Sequence, residues 1–258
     1  MLLVRPIHDP EFLAGNALGV ELHINRDDVK AGFEKYIPFV HGIHLPYAGV
    51  NLAANDAACR AAGVEYIKKA VKKGCAYPVD RMVMHPCGIL SAAGDGVGSY
   101  GFLIDSLREI ADFMADKGVI LCLENQVLRP PEQRIAVGCS SDEWLQLYAD
   151  VQRKNVMLTF DSSHAASFAA HGETPEKRVA ALWRFLEHPE RIGRFHWSDA
   201  RLAGGEARYN DMHLVPGKGD LPREFHQAIL HHPAQKLLEQ RCSAAEVAAG
   251  LEFIRQLG

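Results

Sequence analysis

The sequence predicts an α/β chain folded as one (β/α)8 barrel, a single domain over residues 1–258. Three observations lead there. A short apolar run, a loop and an amphipathic stretch recur eight times, which is the unit of such a barrel. The length and the 48% hydrophobic content suffice to bury a large core. No G-x-G-x-x-G follows the first apolar run, which removes the main pointer to an open, doubly wound sheet.

The first run is Leu2–Ile7, followed from Pro10 by a helix hardly longer than a turn or two. Val20–Ile24 comes next, and Asn25 with two aspartates marks the start of a helix over Asp27–Tyr36. Val40–Tyr47 precedes a helix from about Asp56 to Lys73, and Arg81–Gly88 precedes Tyr100–Lys117. In that last helix Leu103, Leu107, Ile110 and Met114 form one apolar stripe, and Gly118 stops it. Val119–Gln126 is followed by a helix from Ser140 through Asp150, where Ser140 and Glu143 fit a capping box. Val156–Asp161 is a continuous apolar run of the kind buried parallel strands use, and a helix over Pro175–Leu186 follows with proline in its first turn. Ile192–Trp197, a helix over Pro222–His231, the run Lys236–Gln240 and a helix over Ala244–Leu257 complete the eight units.

Composition narrows function. A net charge of −4 offers no global basic field for nucleic acid or an anionic membrane. The six cysteines are scattered without a C-x-x-C pair, so they read as small core residues in a reducing compartment. The opening MLLVRPIHDP lacks a long apolar segment, and no run approaches the roughly 20 residues of a membrane span. A cytoplasmic location is the expectation.

The chemistry concentrates around Arg194–Pro222, where His196 lies near a strand end and Asp199, Asp211 and His213 follow before a PGKGD turn. Alone, this reads equally as a polar surface loop. Other strand ends carry the same kinds of group, however: His44, His85, Glu124, Asp161 with His164, and Glu239. Together with His196, Asp211 and His213 these make nine imidazoles and carboxylates on the rim where barrel chemistry sits. Any one of them is an ordinary packed or loop residue; nine at equivalent positions point to metal binding or proton transfer. Histidines and carboxylates without cysteine suit Zn²⁺, Mn²⁺ or Fe²⁺. His8, His41, His171, His188, His226, His231 and His232 read as surface or packing residues, and the spacing leaves His23 open.

The segments HLPY, VMHPCG, LEN, FDSSHA, FHWSDAR, DMHLVPGKGD and LLEQ occur in an order that resembles the xylose-isomerase-like TIM barrels. That superfamily includes sugar and sugar phosphate isomerases and epimerases and endonuclease IV. The resemblance implies that Glu124, Asp161, His196 and Glu239 hold a divalent ion, Zn²⁺ or Mn²⁺, with the two glutamates as catalytic bases. It also implies, from the nuclease, that all nine residues can hold up to three ions. Tyr47, His85, His164 and Arg201 are the expected substrate contacts, Arg201 for a phosphate or carboxylate.

Departures separate the chain from the nuclease: Thr159 stands where that pattern has cysteine, Ala48 replaces a bulky apolar residue beside Tyr47, and the INRDD loop is short. The leading expectation is therefore a metal-dependent isomerase or epimerase of a small carbohydrate. A multinuclear phosphodiesterase, with nucleic acid less expected as its substrate, stands second, and a non-catalytic binding barrel third. Ser91–Ser99 and Val127–Gly138, rich in Gly and Pro, are expected to be mobile substrate loops.

Overall fold

The computed structural model describes residues 1–203, 205, 208–240 and 242–258. Part of the Gly-containing loop before Asp211, at 204, 206 and 207, therefore lies outside the described residues. In chain order the elements begin with β1 (Leu2–Val4), α1 (Pro10–Gly15), β2 (Gly19–His23), β3 (Val40–His44), α2 (Ala57–Gly74) and β4 (Arg81–Met84). Then come β5 (Ile89–Ala92), β6 (Asp95–Gly96), α3 (Tyr100–Ala115), β7 (Ile120–Glu124), β8 (Arg134–Ala136), α4 (Ser141–Val151) and β9 (Val156–Asp161). The remainder is α5 (Ser162–Ala169), α6 (Pro175–Arg184), β10 (Ile192–Trp197), α7 (Arg223–His231), β11 (Gln235–Leu238) and α8 (Ala244–Arg255). Strands β1, β11, β10, β9, β7, β4, β3 and β2 close in that order into a barrel whose neighbours pair in parallel. This is the (β/α)8 barrel that the repeating pattern predicts.

Alternation divides the strand residues between two environments. Leu22, Ile43, Met82, Leu123, Phe160, Phe195 and Trp197 are buried, and all seven belong to one apolar cluster with residues of the surrounding helices. Trp144 reaches the barrel from α4, its indole N–H donating to the Leu123 carbonyl at 3.0 Å. Phe195 and Trp197, which the pattern leaves between core and pocket, thus belong to the core. The capping box at Ser140 forms as expected.

Three expectations are corrected. Asp27–Tyr36 is not an α-helix: turns lead into a 3-10 helix over Phe33–Phe39. Asn25 and Gly32 have left-handed φ of 65° and 73°, and Pro38 sits inside the 3-10 segment. Asp27 uses its side chain to accept from the His23 N–H at 3.1 Å and from Lys30 at 2.7 Å, so it clamps a loop instead of capping a helix. Secondly, the loops 91–99 and 127–138 are not irregular throughout: they contribute to a three-stranded antiparallel sheet, β6-β5-β8, outside the barrel strands. Thirdly, most strands end sooner than the apolar runs, with Pro6, Pro46 and Pro86 soon after β1, β3 and β4. Proline cannot donate to the ladder. Helix α5, which the sequence pattern does not mark, carries His164 directly after β9.

Candidate metal centre

Inside the barrel the polar side chains lie in two levels. The lower level holds Glu21 from β2 and Arg194 from β10, 3.6 Å apart and fully buried. Gly42 of β3 makes room for them. A Cβ there would come within 2.7 Å of Leu3, 3.0 Å of Arg194 and 3.1 Å of Glu21. Above them His196 turns Nε2 to Glu21 at 3.0 Å and Nδ1 to Glu239 at 2.9 Å and Glu124 at 3.0 Å.

Donor atoms of the upper level fall into three groups, each within 4.8 Å: His44, His85 and Glu124; Asp161, His164 and His213; and Glu124, Asp161, His196 and Glu239. Glu124 joins the first group to the third, and Asp161 joins the second to the third. Asp211 stands at the edge of the second group, with Oδ1 2.7 Å from His213 Nε2 and 3.5 Å from His164 Nε2. All nine rim residues expected from the sequence therefore converge.

Hydrogen bonds to the backbone orient two of the imidazoles. His44 Nδ1 donates to the Leu45 carbonyl at 2.7 Å, and His164 Nδ1 donates to the Asn125 carbonyl at 2.7 Å. In the neutral rings this leaves Nε2 as a lone pair. His44 aims that atom at Glu124 Oε2, 3.2 Å away, and His164 aims it at Asp211 and at Asp161, 4.0 Å away. A lone pair facing a carboxylate is repulsive unless a proton or a cation lies between them. Backbone-anchored imidazoles beside carboxylates are what a divalent ion requires of its ligands.

The charges lead to the same conclusion. Burial pushes the Asp161 carboxyl up to about 7, against the pull of His164 and His213 and with help from Glu239 and Glu124. Its Oδ2 is buried without a hydrogen-bond partner. Burial works against the charge of His213, but Glu239, Asp161 and Asp211 overcome it and raise the ring to about 9. His196 is raised well above the ordinary imidazole value by the same contest, burial against Glu124, Glu239 and Glu21. Protons on these histidines do the work that a metal cation would do, so the donor set fits one or more divalent ions.

A pH dependence follows for protein stripped of metal. His213, raised above its unfolded value, adds stability that is complete below pH 6.5 and is lost as pH climbs through about 9. Asp161, also raised, loses its contribution as pH climbs from about 4 through about 7. Both act in the same direction, and a bound ion replaces the protons. The Tm difference between Mn²⁺-loaded and EDTA-stripped protein is thus expected to widen from pH 6 to pH 9. Melting curves at constant ionic strength check this, and a constant difference would contradict it.

The other expected contacts separate. Tyr47 lines the pocket and stacks on His85, with ring centroids 4.2 Å apart. Arg201 is half-exposed, pairs with Asp220 at 2.8 Å, and does not line this pocket. Asp199 is structural: it accepts from the N–H groups of Ala200, Gly217 and Leu221 at 2.9–3.1 Å and faces His226 at 3.3 Å, fixing the PGKGD turn. Three contributors escape the reading of strand ends. Arg5 holds Glu239 at 2.6 Å, His23 stacks on His44 at 4.1 Å, and Glu21 backs His196. The E-x-H alternation in VELHI was the available signal for Glu21 and His23, since alternate residues share one face of a strand.

Known proteins resemble the chain in sequence and in fold. An uncharacterized protein of Methanocaldococcus jannaschii is 27% identical over 187 residues, covering 69% of this chain and 56% of that protein. The chain thus spans little more than half the length of that curated relative. The crystal structure of a D-tagatose 3-epimerase-like protein superposes with a TM-score of 0.74 at 19% identity, covering 100% of this chain and 97% of the other. Endonuclease IV from Thermus thermophilus superposes with a TM-score of 0.65 at 20% identity, covering 96% and 91%. At such identities the likeness is one of fold. No described helix is long and apolar enough to cross a membrane. The family described as xylose isomerase-like TIM barrel matches residues 15–257, and the chain belongs to it.

Proposed function

We propose that the chain is a divalent-metal-dependent enzyme that uses more than one ion to hydrolyse a small phosphoester. The observation that carries this reading is the sharing of Glu124 and Asp161 among three donor groups. A single-ion site needs only the Glu124, Asp161, His196 and Glu239 group; it makes no use of His44, whose Nε2 faces the second oxygen of Glu124, or of the His213–Asp211 pair. Zn²⁺ or Mn²⁺ suits the nitrogen and oxygen donors. Such ions supply Lewis acidity toward a phosphoryl oxygen and make water more acidic.

The chain's own groups do the rest. Arg5 and His196 fix Glu239, and His44, His85 and His196 fix Glu124, so each carboxylate stays ionised and aimed into the pocket. The Tyr47–His85 stack walls one side of a cavity of about 300 Å³, which suits a small molecule. The short INRDD loop and Ala48 argue against a wedge into duplex DNA.

A single-ion isomerase or epimerase is the second reading. It is favoured by Glu124 and Glu239, which contact His196 Nδ1 together and offer two bases, with His85 and His164 placed for substrate hydroxyls. Metal content per folded chain and three assays separate the readings. Two or three ions with hydrolysis of bis(p-nitrophenyl) phosphate are expected. One ion with deuterium uptake from D2O into a ketose would replace this reading by the second. Incision of an abasic duplex would extend it to DNA, and a metal-loaded chain inert in all three assays would overturn catalysis.

A further inference from the structure

A second cavity, of about 390 Å³, opens beside the first and shares Tyr47 and His85 with it. Its wall differs in kind. The metal pocket presents Glu124, Asp211 and Glu239, whereas among the described residues this wall carries no carboxylate, and its one permanent charge is Arg134. Arg134 reaches the cavity from β8, which pairs with β5 in the small antiparallel sheet. Its Nε is buried without a hydrogen-bond partner. The residue as a whole is half-buried, and a guanidinium, always charged and carrying only donors, gains by meeting an acceptor there.

The neighbouring groups do not meet that need. The Asn51 amide is committed, donating to the Ile89 carbonyl at 3.0 Å and accepting from the N–H groups of Ala53 and Ile89. Gln126 points its amide N–H toward the Glu124 and Asn125 carbonyls. Burial pushes the Cys87 thiol up to about 12, so it stays neutral at physiological pH. Val50 and Ile89 supply apolar walls that strengthen any charge-assisted contact made there.

We propose that this cavity is an oxyanion subsite in which Arg134 receives a second anionic group of the substrate, a phosphate or a carboxylate, while the reacting group lies among the metal ligands. The inference rests on the preceding reading for its choice of reacting group and narrows the substrate to a small molecule bearing two anionic groups. Arg134 takes the part that the sequence pattern gives to Arg201, which the structure pairs with Asp220. A planar guanidinium fork suits either oxyanion.

The test titrates sulfate, a tetrahedral dianion, and acetate, a carboxylate, into wild type, Arg134→Gln and Arg134→Lys by calorimetry, each with EDTA and with Mn²⁺. Wild type is expected to bind an oxyanion in both metal states. Arg134→Gln should weaken that binding about tenfold, and Arg134→Lys, which keeps the charge without the fork, less. Tighter binding of sulfate assigns the subsite to phosphate, and tighter binding of acetate assigns it to carboxylate. Binding by Arg134→Gln equal to wild type, or no metal-independent binding by wild type, would overturn the subsite. Circular dichroism checks the fold of each variant. A failed multinuclear reading shows itself elsewhere, in metal content and hydrolysis, and leaves the Arg134 comparison intact.

Discussion

A Glu124→Gln chain is expected to fold, to bind at least one ion fewer than wild type, and to lose at least about a thousandfold in kcat/KM, roughly 4 kcal/mol of transition-state stabilisation. Glu124 is the residue through which most of the centre communicates. Its Oε2 lies 3.2 Å from His44 and from His85, and its Oε1 lies 3.0 Å from His196. Burial opposes its charge, but His196 and His85 overcome this and hold the carboxyl well below the usual carboxylate range. Glutamine keeps the volume and removes the charge on which two donor groups depend. The barrel should survive, because glutamine fills the same volume and Glu124 is not part of the apolar cluster that joins the strands to the helices. Elemental analysis per folded chain, melting temperature and activity on the same preparation check this. A full complement of ions with near-normal turnover would remove Glu124 from the centre.

The second large effect is expected from a residue that is not among the nine. Glu21→Gln should weaken the tightest ion about 10- to 100-fold, the usual cost of losing an outer partner of a metal-binding histidine. Glu21 Oε1 lies 3.0 Å from His196 Nε2, and its charge favours a proton on that nitrogen, which would leave Nδ1 to an ion held with Glu124 and Glu239. Glutamine keeps the volume but lacks the charge that makes the ring more basic. Glu21→Leu goes further. It removes the acceptor and leaves Arg194 without its buried carboxylate, and breaking a buried pair in this way costs about 3–5 kcal/mol. Metal Kd distinguishes positioning from mere structural support, and the ¹⁵N shifts of the His196 ring report its tautomer. Unchanged affinity and an unchanged tautomer in Glu21→Gln would confine Glu21 to a packing role.

The barrel was legible because its outward residues repeat a simple physical demand. Runs such as VMLTFD must bury one face against helices, and the caps at Ser140 and Ser243 mark where those helices begin. The nine rim groups were legible because position at a strand end is written in the chain order. What lay below the rim was harder to read. Glu21 and Arg194 compensate each other across the barrel, from strands far apart in sequence, and that pairing exists only after closure. Asp27 failed as a helix signal because its carboxylate has a stronger use, holding the turn that follows β2. Arg201 was the expected anion contact and Arg134 was not singled out; only folding gave the first a partner and left the second facing a cavity.

The strand order has a consequence for assembly. Glu124 ends β7, Asp161 ends β9, His196 lies on β10 and Glu239 follows β11, and these four strands are consecutive around the barrel. The four-donor group is therefore a property of one half of the sheet, made from short-range strand additions late in the chain. Arg5 follows β1 and Glu21 lies on β2, across the closing seam. A bound ion would therefore tie four neighbouring strands together, with its ligands braced by Arg5 and Glu21 from across the seam. Refolding with Mn²⁺ is expected to be faster than refolding with EDTA, and stopped-flow fluorescence checks this; equal rates would contradict it.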